Sequence, residues 1–350
     1  MADTKNTDTM NGWQDFLTGQ SATISDGLVT SFGETPADYP GFKAALVDLS
    51  DLGVLALEGV DSKRFLQGQS TSDTSLLNKD TALPGAICNP KGRMLTSYQA
   101  VEPAVDTVLL VMHRPLVETS ISSLGKYAAF FKTTLSDVSE DYRLLGISGP
   151  DCESLLGKIF DAVPQGINQL CIGENHLLLR ISTEQFLLIV DRPMAEKHWL
   201  ELSATIKPVG IDYWQLQSIR AGLTQVRAET LEQFVPQMLN LQAMGAVSFK
   251  KGCYTGQEIV ARMQYLGKLK RRTYRVIIEK AKPPKRGAEI YSSPDNKLIG
   301  TVLSAAPADD KNAEVLAILH EDQANATSFI IDRQVAAVRI VDLPYTLSSD

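Results

Sequence analysis

The chain has 350 residues, which is long enough for two or three domains, and its net charge of -7 argues against coating of nucleic acid. Hydrophobic residues make up 44% and charged residues 21% of the sequence, as in ordinary soluble proteins. No apolar run approaches the roughly 20 residues that span a bilayer, and the N-terminus resembles neither a signal peptide nor a transit peptide.

Residues 1–140 divide into an arm and a lobe. Residues 1–40 are rich in Thr, Ser, Asp and Gly without a sustained period, which predicts a loose N-terminal arm. Strand-like alternation follows over residues 44–60, and then a short capped helix that carries Phe65 and Leu66. DTVLLVMH predicts a further strand, which leads into an amphipathic helix.

The remaining sequence predicts an α+β fold with a separate β-domain at the C-terminus. Residues 141–210 mix strands (RLLGIS, HLLLRIS, QFLLIVD) with helices (CESLLGKIF, AEKHWLELSATI), and no internal repeat is evident. Residues 268–346 contain short β-rich runs separated by Pro, Gly, Asn and Asp, which is typical of a small antiparallel barrel or sandwich.

The cysteines and histidines are too dispersed to indicate a metal cage. The sequence has no C-x-x-C pair and no H-x-x-x-H, which argues against a structural zinc site and a disulfide framework. This usage predicts a reducing, cytoplasmic compartment. The cysteines are Cys88, Cys152, Cys171 and Cys253.

Cys253 lies in the stretch KGCYTGQEIVAR, a glycine-bounded loop that precedes a predicted helix over residues 258–265. The helix dipole and the neighbouring Lys250 and Lys251 would favour the thiolate and lower the pKa of this thiol from about 8.5. Such a thiol can act as a nucleophile, a redox group or a ligand for a soft metal. Alternatively, Cys253 is a small buried hydrophobic residue.

Two other segments offer binding groups. CNPKGRM is a tight turn that presents Lys91 and Arg93 together, as suits an anionic ligand, although a solvated hairpin tip has the same pattern. DYWQLQSIRAG predicts a helix whose Trp214 is either a platform for a heteroaromatic ring or part of the core.

Other functions find little support in the sequence. The basic run KLKRRTYRVIIEKAKPPKR could contact RNA, but strand alternation would disperse its charges over a solvated face. No G-x-G-x-x-G, Walker A or G-x-S-x-G motif is present, so neither nucleotide chemistry nor a serine hydrolase is indicated.

The loop motif resembles the signature K-G-C-[FY]-x-G-Q-E of the YgfZ family of folate-binding proteins. The flanking FVPQMLNLQAMGAVSF, the segment FLQGQSTSD, the KGRM turn and KYAAFFK also resemble that family in order, so the likeness covers the chain from about Ala44 onward. The signature is complete at Lys251, Gly252, Cys253, Tyr254, Gly256, Gln257 and Glu258.

The resemblance implies a fold like that of the aminomethyltransferase T-protein of glycine cleavage: a three-lobed ring with a central folate channel and a C-terminal antiparallel β-barrel. A discontinuous folate-binding lobe would comprise residues 41–140 and 211–265. Residues 141–210 would form an α+β lobe, and residues 268–346 the barrel.

The resemblance also implies a function. The chain would bind tetrahydrofolate and support the synthesis or repair of iron–sulfur clusters in client enzymes, including enzymes that methylthiolate tRNA. Cys253 would be the essential thiol, as a transient cluster ligand or a redox group. The protein would act as a cytoplasmic monomer, without a resident metal, a membrane or direct binding of tRNA.

Individual roles follow from this assignment. Lys251 would lower the pKa of Cys253, while Gln257 and Glu258 would hold the loop by hydrogen bonds. In the folate site, Trp214 would stack on the pterin, and Lys91 and Arg93 would meet the glutamate carboxylates. The remaining candidate contacts to the cofactor are Tyr254 and Arg262.

Two departures from the family pattern affect this interpretation. Asn89 stands where an acidic residue is often found before the K-G turn, and an amide cannot accept a proton as a carboxylate does. Leu52 replaces a tryptophan of the first strand, which leaves Trp214 alone of an aromatic pair. Asn89 therefore disfavours the main alternative, a folate-dependent one-carbon transferase or demethylase. A third alternative is an RNA or protein scaffold.

Overall fold

The computed structural model describes residues 7–265 and 269–347, and its N-terminal segment is packed on the body of the protein. Helix α1 (Thr7–Gly19) is followed by a hairpin of β1 (Thr23–Ser25) and β2 (Leu28–Ser31). Trp13 is 6% exposed, and its indole donates a hydrogen bond of 2.9 Å to the buried carboxyl of Asp48. The segment is therefore not the predicted loose arm. The prediction failed because the segment is polar on average, although one face of its helix is apolar. This face is formed by Trp13, Phe16 and Leu17.

The first sheet has five antiparallel strands in the order β5-β6-β7-β4-β8. Helices α2 and α3 cover its outer face through a core that includes Phe65 and Leu124. From residue 45 to residue 137 the elements are β3 (Ala45–Asp48), β4 (Leu52–Glu58), α2 (Ser62–Gln67), β5 (Leu83–Cys88), β6 (Met94–Ala104), β7 (Thr107–His113), α3 (Val117–Ala128) and β8 (Thr134–Asp137).

The second sheet has six strands in the order β10-β11-β12-β9-β3-β13, and only the β3–β13 pair is parallel. Its outer face packs on α1, α4 and α5, where Trp199 is fully buried. The elements from residue 142 to residue 208 are β9 (Tyr142–Ser148), α4 (Cys152–Leu156), β10 (Leu170–Ile172), β11 (His176–Ser182), β12 (Gln185–Asp191), α5 (Ala195–Ser203) and β13 (Lys207–Pro208).

The two sheets repeat one structural unit, which the sequence did not reveal. Gly59 and Gly149 each have φ of 134° directly after a central strand, and an aspartate two residues later begins α2 or α4. An Arg-Pro turn precedes α3 at Arg114 and α5 at Arg192. The sequence does not show the repeat because the two units share few identical residues outside these turns. At the turns themselves, backbone geometry restricts the choice of residue.

The second sheet is completed by a strand from the first half of the chain. β3 precedes the first repeat but pairs with β9 of the second sheet, whereas β8 follows α3 and pairs with β4 of its own sheet. The predicted boundary at residues 140 and 141 falls between β8 and β9. β3 nevertheless crosses this boundary to join the second sheet.

The rest of the chain bridges the sheets and ends in a barrel. Helices α6 (Ile211–Arg220) and α7 (Gln257–Tyr265) flank an extended segment, and their core residues join the inner faces of both sheets. The predicted C-terminal barrel and α+β class are confirmed: six antiparallel strands close in the order β14-β17-β16-β15-β18-β19. These strands are β14 (Arg271–Ile278), β15 (Glu289–Ser292), β16 (Leu298–Pro307), β17 (Ala313–His320), β18 (Ser328–Ile331) and β19 (Gln334–Val341).

Substitution of Trp13 tests whether the N-terminal helix is an integral part of the fold. Trp13→Ala removes a buried ring, and we expect it to lower the free energy of unfolding by about 3–5 kcal/mol in urea titrations. Trp13→Phe keeps most of the packing but removes one donor from Asp48, so a smaller loss of about 1–3 kcal/mol is expected. Unchanged stability in both variants would support the prediction of a loose N-terminal arm.

Candidate functional site

A channel of about 510 Å³ lies where both sheets, the bridging segment and the barrel meet. Leu52 and Gln99 line it from the first sheet, and Leu187 from the second. Helix α6 contributes Trp214, and the barrel contributes Leu303. Because each wall comes from a different part of the chain, the cavity exists only in the assembled fold.

Trp214 forms part of the channel wall and is largely buried, with 8% of its surface exposed. Its ring lies against the backbone of Gly146 in β9, where a Cβ would approach the indole to 2.6 Å. Helix α6 is fixed at its other end by the barrel, since Arg220 and Arg275 both bind the carboxylate of Glu314 at 2.7–3.0 Å. The position of Trp214 is therefore rigidly set.

Charged groups converge where the first sheet approaches the barrel. Asp51 and Arg227 form an ion pair of 2.5 Å, in which both side chains are about nine-tenths buried. Burial, followed by repulsion from Arg227, lowers the pKa of Arg286 to about 10, and its Nε donates to the carbonyl of Leu303. Among the described residues, Asp51 Oδ1 and Gln99 Oε1 have no hydrogen-bond partner. Two guanidinium groups and two unpartnered, buried oxygens thus belong to residues that line the channel.

His113 lies behind this charged cluster. Its Nδ1 accepts a hydrogen bond of 3.3 Å from the amide of Ala228, which only an unprotonated nitrogen can do. Burial, followed by repulsion from Arg227, lowers the pKa of His113 from 6.5 to about 4. The imidazole is therefore neutral at pH 7 and holds the chain beside Arg227.

Cys253 lies outside the channel, on an exposed loop that ends at α7. The other cysteines differ from it, because burial raises the pKa of both Cys88 and Cys152 to about 12. Cys171 is half-buried. Of the four thiols, Cys253 is the one that a large partner molecule can reach.

Lys251 has a different position from the predicted one. Its ammonium donates to the carbonyls of Gln67, Ser70 and Ser72 at 2.6–2.8 Å, so all three of its donors are used within the protein. None is left for the thiol of Cys253. In addition, α7 begins four residues after Cys253, whereas the field of a helix terminus falls off within one turn.

The turn with Lys91 and Arg93 packs directly against the Cys253 loop. Gly256 has φ of 85°, and a Cβ there would lie 2.5 Å from the carbonyl oxygen of Asn89. Gly92 is in contact with the side chain of Ile259 in the same way. The two motifs, separated by more than 150 residues in sequence, therefore form one surface around the thiol.

Most of the predicted contacts to a cofactor lie outside the channel. Of these residues only Trp214 lines it, whereas Lys91 and Arg262 are exposed elsewhere and Arg93 donates to the carbonyl of Gln233. Tyr254 is buried beneath Lys251, whose ammonium lies 5.0 Å from its ring centre. The contact of Lys91 and Arg93 with glutamate carboxylates stays a prediction, since neither residue lines the channel.

Of two further predictions, the first is not reproduced in the geometry and the second is. Within residues 7–265 and 269–347, the side chains of Gln257 and Glu258 make no hydrogen bond, so they do not hold the loop in that way. The basic run is dispersed as the strand pattern predicted. Arg272 pairs with Glu321, Arg275 pairs with Glu314, and Arg286 faces the channel.

The channel residues Asp51, Gln99, Arg227 and Arg286 were missed because each is a single polar residue in a separate segment. No local spacing links them, and only the tertiary fold brings them together. In the described part of the chain, no group of three or more His, Cys, Asp or Glu side chains could hold a metal ion. None of the described helices is long and apolar enough to cross a membrane.

Comparison with known proteins identifies the family. The model of the GCVT N-terminal domain matches residues 42–170. The tRNA-modifying protein YgfZ of Photorhabdus laumondii is 32% identical over 311 residues, which cover 87% of this chain and 93% of that protein. This chain belongs to the YgfZ family. The YgfZ protein of Yersinia pestis is 31% identical over 91% of this chain and 97% of its own length.

The predicted T-protein-like fold of this YgfZ family member is confirmed by a solved structure. The aminomethyltransferase T of the glycine cleavage system from Bartonella henselae superposes with a TM-score of 0.76. The match covers 95% of this chain and 96% of that structure, at 15% identity. At that identity the likeness establishes the fold alone.

The structure changes the meaning of both departures from the YgfZ pattern. Leu52 does line the channel, so the missing tryptophan concerns the ligand site. Asn89 does not line it; its Oδ1 accepts from the amides of Lys91 and Arg93, and its Nδ2 donates to Glu232. Asn89 therefore shapes the turn beside Cys253, and it is no evidence against proton transfer in the channel.

The buried His113 predicts a loss of stability in acid. Because its pKa is about 4 in the fold and near 6.5 when unfolded, the unfolded chain binds more protons between these values. Its contribution to stability is complete above pH 6.5 and falls as the pH decreases towards 4, by on the order of 3 kcal/mol in total.

Urea unfolding from pH 7.5 to pH 4 measures this contribution. His113→Asn keeps an acceptor for the amide of Ala228 but does not titrate, so its stability should depend less steeply on pH. Equal slopes in the variant and the wild type would show that His113 is not the responsible group.

Proposed function

We propose that this YgfZ family member is a tetrahydrofolate-binding accessory protein for the synthesis or repair of iron–sulfur clusters in client enzymes, including enzymes that methylthiolate tRNA. Cys253 is the essential thiol in this proposal. The observation that carries it is the exposure of Cys253 on an anchored loop outside a channel lined by charged and apolar residues. The loop can meet a partner protein while the channel holds a small molecule.

The channel has the properties that a folate requires. Its volume of about 510 Å³ is in the range of small-molecule sites, and much of its lining is apolar. Asp51 Oδ1 and Gln99 Oε1 can accept hydrogen bonds from the N–H groups of a pterin. Arg227 and Arg286 can bind the glutamate carboxylates. Bound tetrahydrofolate supplies a reduced pterin that carries one-carbon units.

The thiol suits transient contact with a client. A thiolate is a ligand for the iron of clusters and also a redox group, and both roles require that the partner reach the sulfur. Cys88 and Cys152 cannot serve, because they are buried and their pKa values are raised to about 12. The surrounding turn adds the exposed cation of Lys91 to this surface.

A second function, folate-dependent one-carbon transfer, is favoured by one observation. Asp51 lines the channel and has a buried carboxylate oxygen without a hydrogen-bond partner, and such an oxygen can accept a proton. This alternative predicts methylene- or methyl-tetrahydrofolate as a product from a methylated amine, and it predicts that Asp51→Asn abolishes its formation. It requires no thiol, so the Cys253→Ala variant would keep this activity.

Complementation tests the role of the thiol. In cells that lack this gene, we expect the wild type to restore the activity of an iron–sulfur tRNA-methylthiolating enzyme, and Cys253→Ala at equal protein level to fail. Cys171→Ala is the matched control and should complement, since Cys171 is half-buried and outside the loop. Full complementation by a folded Cys253→Ala protein would show that the thiol has only a packing role.

Ligand-dependent melting tests the folate site. Tetrahydrofolate should raise the Tm of the wild type, because it binds the native state alone. Arg286→Met should raise the dissociation constant about 10-fold or more, since a charged hydrogen bond contributes about 1.5–3 kcal/mol. Lys91→Met, outside the channel, should bind as the wild type does.

The same melting experiment distinguishes two binding positions for the glutamate end of the folate, one in the channel and one at the turn with Lys91. An equal loss of affinity in Lys91→Met would place this end at the turn, as the sequence alone predicted. The absence of any shift in the wild type would refute the folate part of the proposal.

A further inference from the structure

A short buried segment, residues 67–72, separates the channel from the loop that carries Cys253. Ser70 and Thr71 have no exposed surface, and Ser72 is 2% exposed. Because every polar group here must find its partner within the protein, the segment is fixed by hydrogen bonds on both sides.

On the loop side, the segment holds the chain before and after Cys253. Lys251 Nζ donates to the carbonyls of Gln67 at 2.6 Å, Ser70 at 2.7 Å and Ser72 at 2.8 Å. Three further contacts extend this attachment: the Ser248 amide donates to the Thr71 carbonyl at 2.8 Å, the Thr255 amide donates to the Gly68 carbonyl at 3.3 Å, and the Thr255 hydroxyl donates to Gln69 Oε1 at 3.3 Å.

Lys251 is the strongest of these attachments. Its side chain is buried, and burial lowers its pKa to about 8, with Asp73 as the opposing influence. At pH 7 the ammonium form still predominates and has three donors for three carbonyls. Hydrogen bonds to a charged group contribute about 1.5–3 kcal/mol each, more than neutral ones.

On the channel side, the same segment is bonded to residues that line the cavity. The Tyr98 hydroxyl donates to Ser70 Oγ at 2.5 Å, and Thr71 Oγ1 donates to the carbonyl of Ala246 at 2.6 Å. Ser72 Oγ donates to the carbonyl of Pro84. Tyr98, Pro84 and Ala246 all line the channel.

The contact between the channel wall and the segment has no free space. A Cβ on Gly85, which lines the channel, would lie 2.6 Å from the Tyr98 hydroxyl and 2.7 Å from Ser72 Oγ. A close-packed interior transmits such displacements. A shift of this wall therefore moves the carbonyl groups that hold Lys251.

We propose that occupation of the channel changes the reactivity of Cys253 through residues 67–72, with Lys251 as the positioning residue. The inference rests on the proposed folate site and adds its regulation: a ligand that favours one position of Tyr98, Pro84 and Ala246 selects one arrangement of the loop. Linkage requires the reciprocal effect, so that a change at Lys251 alters the affinity of the channel for its ligand.

Alkylation of Cys253 in the full-length protein tests this coupling. The probes are iodoacetamide and 5-formyltetrahydrofolate, and peptide mass spectrometry separates the Cys253 adduct from that of Cys171. We expect saturating folate to slow alkylation of Cys253 in the wild type by about fivefold or more, the lower end of typical coupling between sites.

Two neighbouring lysines give a matched comparison. Lys251→Met should bring the rates with and without folate together and should shift the dissociation constant for folate. Lys250→Met, an exposed position in the same loop, should keep the wild-type ratio of rates. If Lys250→Met loses the ratio as fully as Lys251→Met does, the effect is loop charge, and the positioning role of Lys251 is overturned.

Two glycine variants, measured without ligand, test the coupling even if Lys251→Met does not fold. Gly85→Ala pushes on Tyr98 and Ser72 and should change the alkylation rate without any folate. Gly125→Ala is the control, because a Cβ there meets nothing within 4 Å, and it should leave the rate unchanged. An unchanged rate in a folded Gly85→Ala protein would contradict mechanical transmission through the segment.

The outcomes distinguish this inference from the proposed function. If folate binds, as followed by the melting temperature, but the alkylation rate of the wild type stays the same, the coupling is refuted and the folate site stands. If folate does not bind at all, both are refuted.

Discussion

The pairing of β3 with β9 is the constraint on which the rest of the molecule depends. β3 must cross to the second sheet before that sheet is complete, whereas β8 stays with β4 in the first sheet. The second sheet therefore cannot form in full without the first half of the chain. The inner faces of both sheets, the bridging segment and the barrel then form the walls of the channel.

This architecture separates two kinds of chemistry within one chain. The channel contains an ion pair, free acceptor oxygens and guanidinium groups in a region of low exposure, where each polar contact with a ligand is strengthened. The Cys253 loop lies outside it and is open to large partners. Lys251 belongs to neither region alone, since its ammonium joins the loop to the segment behind the channel wall.

Local sequence identified the loop and the turn beside the thiol but not the residues of the channel. The glycines of the signature and of the KGRM turn indicate tight backbone turns, which can be recognised from single residues. The two motifs pack against each other beside Cys253. The sequence did not place the ammonium of Lys251, because a lysine beside a cysteine in sequence can point either way. Burial directed it to the carbonyl groups of residues 67–72.

The sequence by itself determined the α+β class, the C-terminal barrel, the family and the loop that carries Cys253, because these depend on periodicity and on contiguous motifs. Tertiary structure alone decided the packing of the N-terminal helix, the duplicated sheets and the composition of the channel. Asp51, Gln99, Arg227 and Arg286 are isolated polar residues whose spacing along the chain carries no signal. Their convergence follows from strand pairing and packing between distant segments, which no local pattern encodes.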